Sequence, residues 1–219
     1  MRYLVSKLFF TLILISIAIL SIMLGLANIN YFAIQYKLEG LRSTKTVSNA
    51  EISFLMNKVD MMLSLHSSHP HYLYISGTVY EWLASQESIG SENRRILELS
   101  ALKNYNDSIL IRKNWANSWA RTIEINAHLR NFGPEFINAI HQARQHGPYS
   151  EEVGRVLVFV LLNHWGNMKN SEIEIAIEYL NILIDDGQFK AIYQYAVTIN
   201  QEGILCGLIE LNQNVNWQC

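Results

Sequence analysis

Cysteine and proline are both scarce in this chain, at two and three residues in 219. Two cysteines exclude a disulfide framework. Neither sits in a C-x-x-C pair or beside a histidine, so thiol redox and metal-finger chemistry have no residues to work with. Cys206 and Cys219 both lie near the C-terminus, and a bond between them would brace only the tail. An excess of positive charge is also missing, with 17 Lys and Arg set against 19 Asp and Glu. A mildly acidic body is a poor match for a polyphosphate backbone, so nucleic acid is not an expected partner. No glycine-rich phosphate loop, G-x-G-x-x-G, G-x-S-x-G or H-E-x-x-H occurs, and no cofactor or catalysis is expected.

Charge is missing altogether from residues 8–36, and residues 8–27 are mostly Leu, Ile, Phe and Met. Twenty residues at about 1.5 Å each span a hydrocarbon core of about 30 Å, so this stretch reads as a transmembrane helix behind a short tail, residues 1–7. A cleaved signal peptide ending at Gly25-Leu26-Ala27 is the competing reading, but the apolar run exceeds the usual length of such a segment. A retained signal anchor would place the body across the membrane, in a periplasm or equivalent space. Arg2 and Lys7 before the span are balanced by Lys37, Arg42 and Lys45 after it, so flanking charge leaves the orientation open. Tyr31, Phe32, Ile34 and Tyr36 suit a helix continuing through the interfacial zone, and residues 28–47 are read as that extension and a linker.

Residues 48–219 read as one all-α domain. Ser48 followed by Glu51 makes a capping box ahead of Ile52, Leu55, Met56, Val59, Met62 and Leu63, a helix expected to stop at residues 66–70. Pro70, Pro134 and Pro148 open further segments, Ser91 and Ser171 are expected caps, and Gly133, Gly147 and Gly187 close helices. Beyond Gly203 the tail gives few signals. Asn114 and Pro148 begin equivalent helices one tetratricopeptide period apart, roughly 34 residues. The expected body is therefore an irregular tetratricopeptide-like array of antiparallel helix pairs, each needing its neighbours to bury its apolar surface, with a compact bundle as the alternative.

Most candidate functional residues have a plainer reading. His66, His69 and His71 supply three imidazoles, yet Pro70 biases His69 toward an extended backbone, so the rings should diverge in a solvated turn rather than form a metal site. His164 beside Trp165 reads as a hydrogen-bonded core or rim residue rather than a catalyst. Distant acids such as Glu81, Glu98 and Glu124 would need to converge in a cleft to support hydrolysis or transfer. Trp115, Trp119, Tyr149 and Trp165 gather where helix pairs begin or end. They are expected to pack the wedges between helices, with an exposed subset available to a protein partner or a sugar ring.

The stretch Arg112-Lys113-Asn114-Trp115-Ala116-Asn117-Ser118-Trp119-Ala120, followed by the helix over residues 136–143 and by His146-Gly147-Pro148-Tyr149, resembles the VpsP family of bacterial polysaccharide biosynthesis proteins. Those proteins carry an Arg-Pro-x-Trp-Pro-x-x-Trp-Ala segment, a short helix and a Gly-Pro-Trp turn behind one membrane helix. Arg112, Trp115, Trp119, Ala120, Gly147 and Pro148 match that pattern, while Lys113, Ala116 and Tyr149 replace two prolines and a tryptophan. The resemblance implies a role beside polysaccharide synthesis or export machinery in a bacterial inner membrane, without catalysis. The resulting expectation is a membrane-anchored accessory or scaffold that binds protein components of that machinery, or alternatively a periplasmic glycan-binding module.

Overall fold

The computed structural model describes residues 2–41 and 47–211. These residues form ten α-helices and one short 3-10 turn, with no strand among them. They divide into two compact units, Met1–Leu97 and Glu98–Cys219.

In the N-terminal unit, α1 runs unbroken over Arg2–Leu41. Its most apolar stretch has a mean hydropathy of 2.7 and none of it is buried by protein. A core helix of a soluble protein would be mostly covered, so α1 is a helix long and apolar enough to cross a membrane, with its apolar side chains facing outward. The environment changes at Ala27. From there Ala27, Asn30, Ile34, Leu38 and Leu41 are buried at helical spacing. They meet Leu55, Val59 and Met62 of α2 (Asn49–Leu65) and Tyr72, Ile75, Val79 and Leu83 of α3 (Pro70–Gln86). The amide of Asn30 donates back to the Leu26 carbonyl at 2.9 Å, so a buried polar side chain on this seam is satisfied locally.

Two polar contacts fix the direction of α2 against α1. Lys37 Nζ donates to Glu51 Oε1 at 2.7 Å beside the start of α2. At the other end of the seam Tyr72 Oη donates to Asn28 Oδ1 at 2.7 Å. Hence α2 runs antiparallel to α1, back toward the apolar segment, and α3 returns away from it. The stretch read as an extension and linker is thus helical to Leu41 and enters the unit's core, while residues 42–46 lie outside the described residues. The capping box at Ser48 forms as expected, with Glu51 accepting from the Ser48 backbone at 2.9 Å.

The boundary between units falls within α4 (Glu92–Ile111). The C-terminal unit then continues in three helix pairs: α5 (Ala116–His128) with α6 (Pro134–His146), α7 (Glu151–His164) with α8 (Asn170–Asp185), and α9 (Phe189–Thr198) with α10 (Glu202–Leu211). The starts of α5 and α7 are separated by about one tetratricopeptide period, roughly 34 residues. One continuous core runs through all three pairs, including Ile123, Phe136, Ile140, Leu157, Leu161, Tyr179, Leu183, Ile192 and Leu205. Arg144 on α6 reaches Glu178 on α8 at 2.9 Å, linking successive second helices. Stacking of this kind is how pairs too small to bury their own apolar faces become stable.

Two glycines permit close approach. A Cβ on Gly154 would lie 3.1 Å from Tyr179 Cδ1 and 3.3 Å from Leu183 Cγ, so α7 and α8 touch there almost backbone to side chain. A Cβ on Gly147 would lie 2.7 Å from Ala116 Cβ, and the Gly147 carbonyl accepts from Tyr179 Oη at 2.7 Å. The turn between α6 and α7 is therefore clamped from both sides. Gly147→Ala is expected to destabilise the chain by about 1–3 kcal/mol through overpacking, read as a lower midpoint in denaturant; an unchanged midpoint would contradict this contact.

Several local expectations shift. Asn114 and Pro148 precede their helices rather than begin them, because Trp115 and Ser150 take the N-cap positions, and Ser150 Oγ accepts from Val153 N at 3.4 Å. Ser171 is not a cap: Lys169 holds that position and the Glu172 carboxylate accepts its backbone N–H at 2.9 Å. Ser91 does cap α4, accepting from Arg94 N at 3.2 Å. The tail beyond Gly203 contains α10, whose Leu205, Leu208 and Ile209 are buried. The Cys206 to Cys219 pairing falls on a residue outside the described ones.

Candidate functional site

The first helices of the three pairs share one face. On α5, Arg121 Nη1 donates to Glu124 Oε2 at 2.7 Å, and its other terminal nitrogen donates to Glu152 on α7. Arg155, one turn along α7, donates to Glu152 Oε2 at 3.0 Å and lies 3.6 Å from Glu151 Oε1. Further along the same face Phe159 stacks on Tyr195 of α9, with ring centroids 3.9 Å apart, and Asn163 donates to the Tyr195 hydroxyl. Burial raises the Tyr195 hydroxyl above its ordinary range, Asn163 opposes that, and the charge of Glu124 adds to it. Residues 152, 155, 159 and 163 recur at helical spacing, which is why one side of α7 serves both neighbours.

Sequence reasoning did not find this row. The signal was the recurrence of arginine, Arg121 and Arg155, at one tetratricopeptide period, on helices whose buried stripes were already recognisable. Chemically the row offers alternating charge beside a stacked aromatic pair. It suits the recognition of a polar protein surface, since it presents donors, acceptors and a planar ring on rigid helices.

The four aromatic candidates fall into different settings. Trp119 is half-buried against the core, and its Nε1 donates to the Lys113 carbonyl at 2.7 Å, so it closes the turn before α5. Trp115 is also half-buried, with the Arg112 guanidinium 5.3 Å from its ring centroid in a cation–π arrangement. Tyr149 is 82% exposed. Because Gly147 sits against Ala116, Tyr149 stands at the same end of the unit as Trp115. Trp165, 37% exposed, follows the far end of α7, about 20 Å away along a 14-residue helix. Trp115 and Tyr149 therefore share an edge and Trp165 does not.

The expected acids differ as sharply. Glu98 is buried, with His128 Nδ1 3.8 Å from its Oε1, whereas Glu124 is engaged by Arg121 on the shared face. Glu81 belongs to the N-terminal unit. His164 is half-buried, with its ring centroid 5.3 Å from that of Phe132.

The histidine turn departs from expectation. His69 does take an extended backbone before Pro70, but the rings converge instead of diverging. Centroids lie 5.3 Å apart for His66 and His69, 5.6 Å for His69 and His71, and 4.3 Å for His69 and Tyr72. The cause is tertiary: α2 ends and α3 begins against the same stretch of α1, and Tyr72, pinned by Asn28, supplies the surface on which both rings rest. The Nδ1 atoms of His66 and His69 are buried without a hydrogen-bond partner. Among the described residues, no group of three or more His, Cys, Asp or Glu is arranged to hold a metal ion.

Acid should weaken both units. Burial, then the charges of His66 and His71, hold His69 below its ordinary 6.5, and burial, His128 and Arg130 do the same to His164. The unfolded chain therefore binds more protons than the native one just below that value. Stability should be complete above pH 6.5 and fall as pH drops through the depressed native values. A second loss should follow below pH 4.5, because Lys37, with the backbone and hydroxyl of Ser48, holds Glu51 down to about 2. Melting temperatures of wild type and of His69→Gln/His164→Gln across pH 4 to 8 test this; a wild-type curve flat between 7 and 5 would contradict it.

No protein-family model matches the chain, and no curated protein or solved structure is significantly similar to it.

Proposed function

We propose that this chain is a non-catalytic scaffold held at a membrane by α1, acting through protein contacts made by the first-helix face of its C-terminal unit. The observation that carries the reading is the row on α5, α7 and α9, where Arg121, Glu152, Arg155 and the Phe159–Tyr195 stack lie on one rigid surface. A tether to the bilayer raises the local concentration of that surface near membrane-bound partners without adding contacts. The resemblance of residues 112–120 and 146–149 to polysaccharide biosynthesis proteins supports a setting beside the synthesis or export of extracellular polysaccharide. In that setting α1 lies in a bacterial inner membrane and the body in the periplasm.

Charge reversal on the face tests this reading. Arg155→Glu in the full chain should reduce surface polysaccharide while leaving the amount of membrane-bound protein unchanged. Normal polysaccharide from a stably folded variant would contradict the assignment of this face. A second reading, direct contact with glycan, is favoured by the exposed Tyr149 ring at the same end of the unit as Trp115. It predicts saturable binding of polysaccharide to the purified full chain in calorimetry, lost in Tyr149→Ala; absence of binding at millimolar sugar would remove it.

A further inference from the structure

The N-terminal unit is polarised along its length. At one end lie the charged residues Lys37, Glu39 and Glu51, and at the other the turn over residues 66–70, with no Lys, Arg, Asp or Glu anywhere between Asp60 and Glu81. The uncharged end is the one nearest the apolar segment of α1. Tyr72, against which the histidine rings pack, bonds to Asn28, the residue immediately after the apolar run. The outward face of α1 also stays apolar past that point, with Ile29 and Phe32 each 62% exposed and continuous with Ile22 at 62%. On α2, Met61 near the same end is 52% exposed.

We propose that the turn between α2 and α3, residues 65–71, is seated in the headgroup layer of the membrane that α1 crosses, with the exposed Ser67 and Ser68 facing lipid phosphates. The inference rests on the reading of α1 as a membrane span. The occupant follows from continuity: the lipid-facing stripe of α1 runs without a break into the level of the turn, and an antiparallel α2 returns its own end to that level. Residues 61–80 carry no formal charge, and the tyrosines beside the turn suit the interfacial layer, where aromatic rings are enriched. Burial and the neighbouring histidines hold the His69 imidazole below its ordinary range, in the direction that such a setting would also favour. The Tyr31 and Tyr72 rings, 5.8 Å apart, fall at the depth where aromatic belts form.

The test uses the full chain, with Cys206 and Cys219 replaced by serine, reconstituted in vesicles of phosphatidylcholine and phosphatidylglycerol. Nitroxide labels are placed singly at Ser68→Cys, at Ser88→Cys beyond the far end of α3, and at Ile17→Cys within the apolar segment. Oxygen, which partitions into lipid, and a water-soluble nickel chelate then compete to relax each label. The expected result is an oxygen-to-nickel ratio highest at position 17, intermediate at 68 and several-fold lower at 88. A label at Ser67→Cys should repeat the value at 68. Equal nickel access at 68 and 88, with 17 protected, would overturn the seating of the turn while leaving the span intact. Free nickel access at 17 would overturn the span and the seating together.

Discussion

Leu161→Ala is expected to lower the stability of the chain by about 2–5 kcal/mol, read as a reduced midpoint in denaturant for the protein in detergent. Leu161 is completely buried in the core that runs through all three helix pairs. Removing its methyl groups leaves a void that rigid helices on either side cannot close. Since whole domains are stable by only about 5–15 kcal/mol, a loss of this size removes much of the margin. Tyr149→Ala, on an exposed side chain, should change stability by no more than about 0.5 kcal/mol. A Leu161→Ala protein that unfolded like wild type would mean that the pairs do not share a core, and with it would go the rigid face on which the proposed function depends.

The second large effect concerns the anchor. Leu14→Lys together with Ile17→Lys places two charges near the middle of the apolar segment, at an insertion cost of about 3 kcal/mol each. Neither side chain has a protein partner to compensate, because both are exposed on α1. The doubly substituted chain should move from the carbonate-resistant membrane fraction to the soluble or aggregated fraction. Full retention after carbonate extraction would contradict a spanning α1. The single substitution Ile29→Lys, beyond the apolar run, should be retained, since a lysine at that depth extends its ammonium to water.

How far the residues alone announce this architecture depends on the kind of signal each element carries. The apolar segment needs no tertiary information, because absence of charge over residues 8–36 is a property of composition and α1 follows from it. The stripe Val153, Val156, Leu157, Val160 and Leu161 likewise states its buried face by spacing, and all five are buried on α7. The capping box at Ser48 is local chemistry and forms as read. By contrast, nothing in residues 27–41 distinguishes a helix passing through an interface from one that packs into a core. The same Ile34 and Leu38 serve either purpose, and only the arrival of α2 and α3 decides. The histidine turn was misread for a related reason: Pro70 governs the backbone of His69, but ring placement depends on Tyr72 held by Asn28, a contact across 44 residues. The charged row on α5, α7 and α9 was hidden because surface arginines and glutamates are common, and becomes visible only when helices one period apart lie side by side. The helix end at Arg130 was equally obscure, since a non-glycine residue adopts φ of 55° there to close α5.

The central claim is that the helical body, kept at a membrane by an interchangeable apolar segment, acts in the making of extracellular polysaccharide. The most direct measurement is the amount and chain length of surface polysaccharide in cells lacking this protein. Complementation would use a form in which residues 8–24 are replaced by an unrelated membrane helix, leaving Ala27 and the packed part of α1 in place. The account predicts that polysaccharide falls in the deletion strain and returns with the exchanged anchor. Unchanged polysaccharide in the deletion strain would contradict it.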